Sequence, residues 1–284
     1  MSFEYHQPTS VDEAVSLLQD HGDDAMALAG GSAFTLFMKL GLISPGHVVG
    51  LGNLEEMGGI HLEPNCLWIG ALSTHAEIEK SPIVRDHHRT IADMFARVAT
   101  VRLRNQATLG GNIAHADPAQ DPPPTLIALD ARAVIAGPNG FRREAPLDGF
   151  FTDYFSVALE PGELILGVRV PLVAADTRAT YMKFLPRSAD DYATVGVAAV
   201  ARVDHDGLVA SSRVVLGAVG PTPMRAKRVE QALLGQRVTP QLLAEAASLV
   251  RDEIDPIADA RGSPDYKREM ARVWTERALT TVTA

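Results

Sequence analysis

Ala29-Gly30-Gly31-Ser32-Ala33 and Thr108-Leu109-Gly110-Gly111-Asn112 are the stretches on which the reading of this chain turns. Glycine lets backbone N–H groups converge on an anion at places where any Cβ would clash. The first pair follows the apolar run of residues 25–29 and precedes Phe34, Phe37, Met38 and Leu40 at helical spacing. That order reads as strand, glycine turn and helix. A helix N-terminus offers unpaired N–H groups and the positive end of the dipole, and a pyrophosphate fits there. The second pair lies in a loop from Thr108 to Asp121, ahead of a proline-started helix, Pro122 to Leu129. One Gly-Gly alone is more often an ordinary tight turn. Two, each followed by a small polar residue (Ser32, Asn112), favour a dinucleotide without identifying it.

Outward from these turns, Ser10 with Glu13 makes a capping box and predicts a first helix from residue 11, ended by His21-Gly22-Asp23. Strands are expected at residues 47–51, 66–71, 131–136 and 164–170, and Gly58-Gly59 marks a joint. A short helix opened by Ser73 or Thr74 and a longer one over 83–99 lie between them. After Pro171 the pattern changes to strands at 180–185, 195–204 and 208–219, with His205-Asp206-Gly207 as a hairpin turn. Helices follow near 224–234, 240–252 and 265–281. The expected fold class is α+β. A two-part first domain covers residues 1–175, with subdomains of about 1–57 and 58–175. A smaller α+β domain, 176–284, carries a three-stranded antiparallel sheet and helices.

The bulk properties narrow the function. A chain of 284 residues, 46% hydrophobic and 21% charged, has material for a packed core of two domains. A net charge of -9, with no cluster of cations and interleaved aromatics, argues against nucleic acid. The N-terminal stretch lacks a basic segment followed by an apolar one, and no run approaches the roughly 20 apolar residues of a membrane span. A cytoplasmic protein is the expectation. Cys66 is the single cysteine, read as a small buried hydrophobe. Iron–sulfur clusters generally need about four cysteine ligands, so single-electron chemistry here calls for an organic cofactor or a partner.

Several chemistries lack their residues. No G-x-G-x-x-G or G-x-x-x-x-G-K-[ST] loop joins a strand to a helix, and no G-x-S-x-G elbow occurs. His115, Asp117 and Asp121 are imaginable metal ligands, but loop carboxylates beside prolines more often hold turns. Asp121 precedes Pro122 and so occupies an N-cap position, where a carboxylate equally accepts hydrogen bonds from a ribose. In the cluster from Lys183 to Tyr192, Tyr192 offers an aromatic face able to stack on a flat ring system.

Together these motifs resemble the medium, FAD-binding subunit of molybdenum hydroxylases of the carbon monoxide dehydrogenase and xanthine dehydrogenase type. The likeness runs from Phe3-Glu4-Tyr5 to Arg277. It is carried by the two glycine turns, Ile69-Gly70-Ala71, Thr74-His75, Arg104-Asn105, Ala116-Asp117-Pro118, Lys183-Phe184, Gly217-Ala218-Val219 and Ala260-Arg261-Gly262-Ser263. The resemblance implies a two-part FAD-binding fold like that of vanillyl-alcohol oxidase. It implies that Leu28, Ala29, Gly30, Gly31, Ser32 and Ala33, with Thr108, Leu109, Gly110, Gly111 and Asn112, wrap the pyrophosphate. Asp121 would meet the adenosine end, and Lys183 and Tyr192 would lie near the isoalloxazine. The implied partners are a large molybdenum-cofactor subunit and a small iron–sulfur subunit, in a dimer of heterotrimers. No residue of this chain needs to be a catalytic acid or base for the hydroxylation. The rival readings are a stand-alone flavin reductase of the UDP-sugar type and a scaffold subunit without flavin. Two positions depart from the family pattern: the first loop reads Gly30-Gly31-Ser32-Ala33-Phe34 where Gly-Gly-x-Ser-Leu is usual, and Gln106 stands where glycine or arginine is common.

Overall fold

The computed structural model describes residues 2–186 and 191–284. Met1 and, from the cluster 183–192, Arg187, Ser188, Ala189 and Asp190 lie outside the described residues.

The chain starts with β1 (Glu4–His6), α1 (Val11–His21), β2 (Ala25–Leu28), α2 (Ser32–Lys39) and β3 (His47–Gly50). β3 lies between the other two strands and runs parallel to both. Ser10 caps α1 by accepting from the Glu13 amide at 3.2 Å, while the Glu13 carboxylate takes the Thr9 amide at 2.7 Å. The reciprocal half of the expected box is thus displaced by one residue. Val11, Ala14 and Val15 present one apolar face of α1 to the core.

A second unit follows: β4 (Ile60–Leu62), β5 (Cys66–Gly70), α3 (His75–Lys80), α4 (Pro82–His87), α5 (Arg89–Phe95), α6 (Val101–Arg104), α7 (Leu109–His115) and α8 (Pro122–Ala128). It ends with β6 (Arg132–Ala136), β7 (Arg142–Pro146), β8 (Phe151–Asp153), β9 (Ser156–Val157) and β10 (Leu164–Pro171). β10 is the centre of an antiparallel sheet of order β4-β5-β10-β6-β7. The helix expected over 83–99 is broken at His88, whose φ of -144° and ψ of 61° are not helical. Thr74 and Glu77 complete a capping box on α3.

The C-terminal part comprises β11 (Thr177–Phe184), β12 (Val195–Val203), β13 (Val209–Gly217), β14 (Met224–Arg225), α9 (Lys227–Leu233), α10 (Pro240–Ser248) and α11 (Pro264–Thr283). The three expected strands gain a fourth, the two-residue β14, to give an antiparallel sheet in sequence order. One face of that sheet packs on α9 and α11 through Val197, Ala199 and Leu216, and α10 packs in turn on those two helices. The other face sends Tyr181, Ala198, Val200 and Val215 into the core of the preceding part. This two-sided burial accounts for the run of buried residues from Val195 to Ala201, where a half-exposed strand would alternate.

Candidate functional site

The turn between β2 and α2 needs its two glycines for different reasons. Gly31 has φ 71° and ψ 6°, the left-handed region, and is the N-cap of α2. Gly30 is set by proximity: a Cβ there would lie 1.9 Å from the carbonyl oxygen of Gln106. The turn therefore rests on the backbone of Gln106 and Ala107, just ahead of the second glycine pair. The two glycine-bearing segments meet at one place. Among the described residues no side chain caps α2, so the amides of its first turn, Ser32, Ala33 and Phe34, have no intrahelical acceptor. Converging donors at a dipole's positive end are suited to a diphosphate.

The second segment differs from the expected loop: it is the start of α7. Thr108 is the N-cap and its Oγ1 accepts from the Gly111 amide at 3.3 Å. Leu109 donates to the Ser73 carbonyl at 3.0 Å, Gly110 to Ala71 at 2.8 Å and Asn112 to Thr108 at 2.9 Å. All four amides from Leu109 to Asn112 are spent within the chain. Gly110 is a glycine for packing, since a Cβ would sit 2.6 Å from the Ala71 Cβ. What this segment keeps for a ligand is the Thr108 hydroxyl and the side-chain amide of Asn112, whose Oδ1 is buried without a partner. The expected pair of backbone cradles is one open backbone cradle on α2 and a side-chain contribution from α7. An orphaned acceptor beside an uncapped helix fits a dinucleotide that supplies both acceptors and hydroxyl donors.

Asp121 is not a side-chain cap of α8, contrary to one of its two expected roles. Its Oδ1 accepts from the Tyr181 hydroxyl at 2.5 Å and its Oδ2 from Lys183 Nζ at 2.8 Å. Lys183 Nζ also donates to the Arg97 carbonyl at 3.1 Å. Burial pushes the Asp121 carboxyl upward against the pull of Lys183 and Tyr181. Burial, reinforced by Asp121, raises the Tyr181 phenol well above its ordinary value. The carboxylate thus ties the loop before α8 to β11. Sequence reasoning misses Tyr181, since nothing in the pattern sets it apart from a core tyrosine.

The metal reading of residues 115–121 loses its geometry. His115 packs among aromatic rings, 5.2 Å from both Phe37 and Phe155, and burial lowers its pKa. Asp117 accepts from the Ala119 amide at 2.9 Å, a local turn, and Asp121 is committed to Lys183. Tyr192 is 44% exposed, with the Arg261 guanidinium 5.8 Å from its ring centre. Arg261 also donates to Asp191 at 2.8 Å. The ring therefore keeps an accessible surface with the Arg261 guanidinium lying over it. Among the described residues no helix is long and apolar enough to cross a membrane.

The geometry thus brings together a helix terminus suited to a diphosphate, an orphaned side-chain oxygen on Asn112 and a buried ion pair that ties the loop before α8 to β11. The family described as the FAD binding domain in molybdopterin dehydrogenase matches residues 1–173, and the carbon monoxide dehydrogenase flavoprotein C-terminal domain matches residues 180–282. The chain belongs to this family of FAD-carrying oxidoreductase subunits. The carbon monoxide dehydrogenase medium chain of Hydrogenophaga pseudoflava is 39% identical over 277 residues, covering 98% of this chain and 96% of that one. The medium chain from Afipia carboxidovorans is 35% identical, covering 98% and 96%. The solved carbon monoxide dehydrogenase of Hydrogenophaga pseudoflava that lacks the Mo-pyranopterin moiety contains a chain of the same fold. Its TM-score is 0.96 at 40% identity, covering 99% of this chain and 97% of that one.

Proposed function

We propose that this chain is the electron-exit subunit of a molybdenum hydroxylase, docked to a large molybdenum-cofactor subunit and a small iron–sulfur subunit. Its relatives among carbon monoxide dehydrogenase medium chains support those partners. Bound FAD would accept electrons singly from the clusters and release them in pairs to an external acceptor. The residues of this chain bind and orient it: the amides of Ser32, Ala33 and Phe34 take the diphosphate, and Thr108 and Asn112 supply side-chain contacts. Lys183 is expected to act at one remove, because its ammonium is engaged by Asp121 and the Arg97 carbonyl. Tyr192, half exposed, is the better placed of the two to lie against the isoalloxazine. The division into residues 1–175, with parts of about 1–57 and 58–175, and residues 176–284 belongs to the same proposal. So do the dimer of heterotrimers and the cytoplasmic location, which native mass measurement and cell fractionation test. The choice of substrate falls to the large subunit.

The observation that carries this reading is the uncapped N-terminus of α2 behind Gly30 and Gly31. Ser32→Asp tests it, because a carboxylate in the first turn stabilises the helix and repels a diphosphate. The expected result is a folded chain that no longer retains FAD after gel filtration. Flavin content equal to the parent would overturn the assignment.

A further inference from the structure

We propose that His6, His21 and His47, with Glu4 beside them, form a binding site for a divalent transition-metal ion of the zinc type. The three imidazoles come from different elements: the last residue of β1, the last residue of α1 and the first of β3. One nitrogen from each lies within 4.8 Å of the others. Parallel pairing explains the convergence. Glu4 is opposite His47 in the β1–β3 register, and His6, two residues beyond Glu4, projects from the same face. α1 delivers His21 onto that face, where its ring stacks on His47 at 3.6 Å between centroids.

The chemistry of the donors selects the ligand. His6 Nε2 and His47 Nδ1 are 2.9 Å apart, and Glu4 Oε2 is 3.8 Å from His47 Nδ1. Zinc–nitrogen bonds of about 2.0–2.1 Å in a tetrahedron require ligand nitrogens roughly 3.3 Å apart, so admitting an ion opens the His6–His47 pair by a few tenths of an ångström and turns the His21 ring out of its stack on His47, to bring its lone pair onto the ion. Imidazole suits zinc, cobalt, nickel and copper, whereas magnesium and calcium prefer all-oxygen ligands. His21 also ends α1, and the C-terminal end of a helix dipole favours a cation. All three histidines are half-buried, which leaves a path for an ion. An ion held there would tie the first strand and the end of α1 to β3.

The test uses the full-length chain carrying FAD and no affinity tag, titrated calorimetrically with zinc chloride and followed spectroscopically with cobalt chloride. One saturable equivalent is expected, with a tetrahedral cobalt spectrum, a higher Tm in zinc and no response to magnesium. His21→Gln and His47→Gln should each weaken zinc binding by at least about tenfold, the loss seen even for groups that only support a metal ligand. His21 lies at a helix end, so His21→Gln still decides the matter if His47→Gln misfolds. Absence of saturable binding, or unchanged affinity in folded His21→Gln, overturns the site.

Discussion

Lys183 on β11 places its ammonium 2.8 Å from the Asp121 carboxylate, and both side chains are about 95% buried. Removing one partner from such a pair leaves an uncompensated charge in the interior, which typically costs about 3–5 kcal/mol. Lys183→Met should lower stability by that order in urea unfolding. The double substitution Asp121→Asn with Lys183→Met should recover part of the loss. A single variant as stable as the parent would show that the pair does not bind the two parts of the chain together.

The contact between Gly30 and Gln106 separates a packing glycine from a merely conformational one. Gly30→Ala drives a Cβ to 1.9 Å from a backbone oxygen, so the turn and the Gln106 peptide must part. Overpacking of this kind costs about 1–3 kcal/mol or more and should abolish FAD retention. Gly41 has φ 69°, and a Cβ added there would meet no atom within 4 Å, so Gly41→Ala should cost about 1–2 kcal/mol of strain only. Flavin absorbance after desalting distinguishes the two.

Burial holds His75 and His88 neutral, with pKa values lowered to about 4. An unfolded histidine titrates near 6.5, so the unfolded chain binds more protons between those values. Stability is full above about pH 6.5 and falls as pH drops toward about 4, by on the order of 3 kcal/mol for each residue. His75→Phe, beside Phe95 at 4.9 Å, should remove part of that loss. Urea midpoints at pH 7.5 and pH 5 should differ less in the variant than in the parent.

Glu63 is held at about 2 chiefly by Arg169, which donates to it at 2.6 and 3.0 Å. Cys66 donates to the same carboxylate at 3.1 Å, and burial together with Glu63 pushes the thiol up to about 11. The thiolate is the reactive form, so a disulfide reagent at pH 8 should modify the native chain far more slowly than the unfolded one. Glu63→Gln should speed the native reaction, and equal rates in variant and parent would remove Glu63 from the explanation.

Most elements are legible in the sequence because their signals are local. Ser10 and Thr74 cap the helices that follow them, and the C-terminal strands and helices lie close to their expected positions. The start of α7 reads as loop because Gly110-Gly111 outweighs a weaker signal, Thr108 at the cap with Leu109 and Ile113 four apart and buried. β1 is too short, at three residues, to show a period. What local pattern does not give is convergence over distance. Tyr181 meets Asp121 across 60 positions and His6 meets His47 across 41. Likewise the amides of α7 look available in the sequence, and only the fold shows Ser73 and Ala71 taking two of them.

The abutment of Gly30 on the Gln106 peptide involves main-chain atoms on the side of the second segment. The contact uses the Gln106 carbonyl and not its side chain, so it does not require a glutamine there. A one-residue insertion or deletion between Ala99 and Thr108 would instead slide the peptide out of place. Length in that stretch, more than residue identity, is what keeps the two segments in contact.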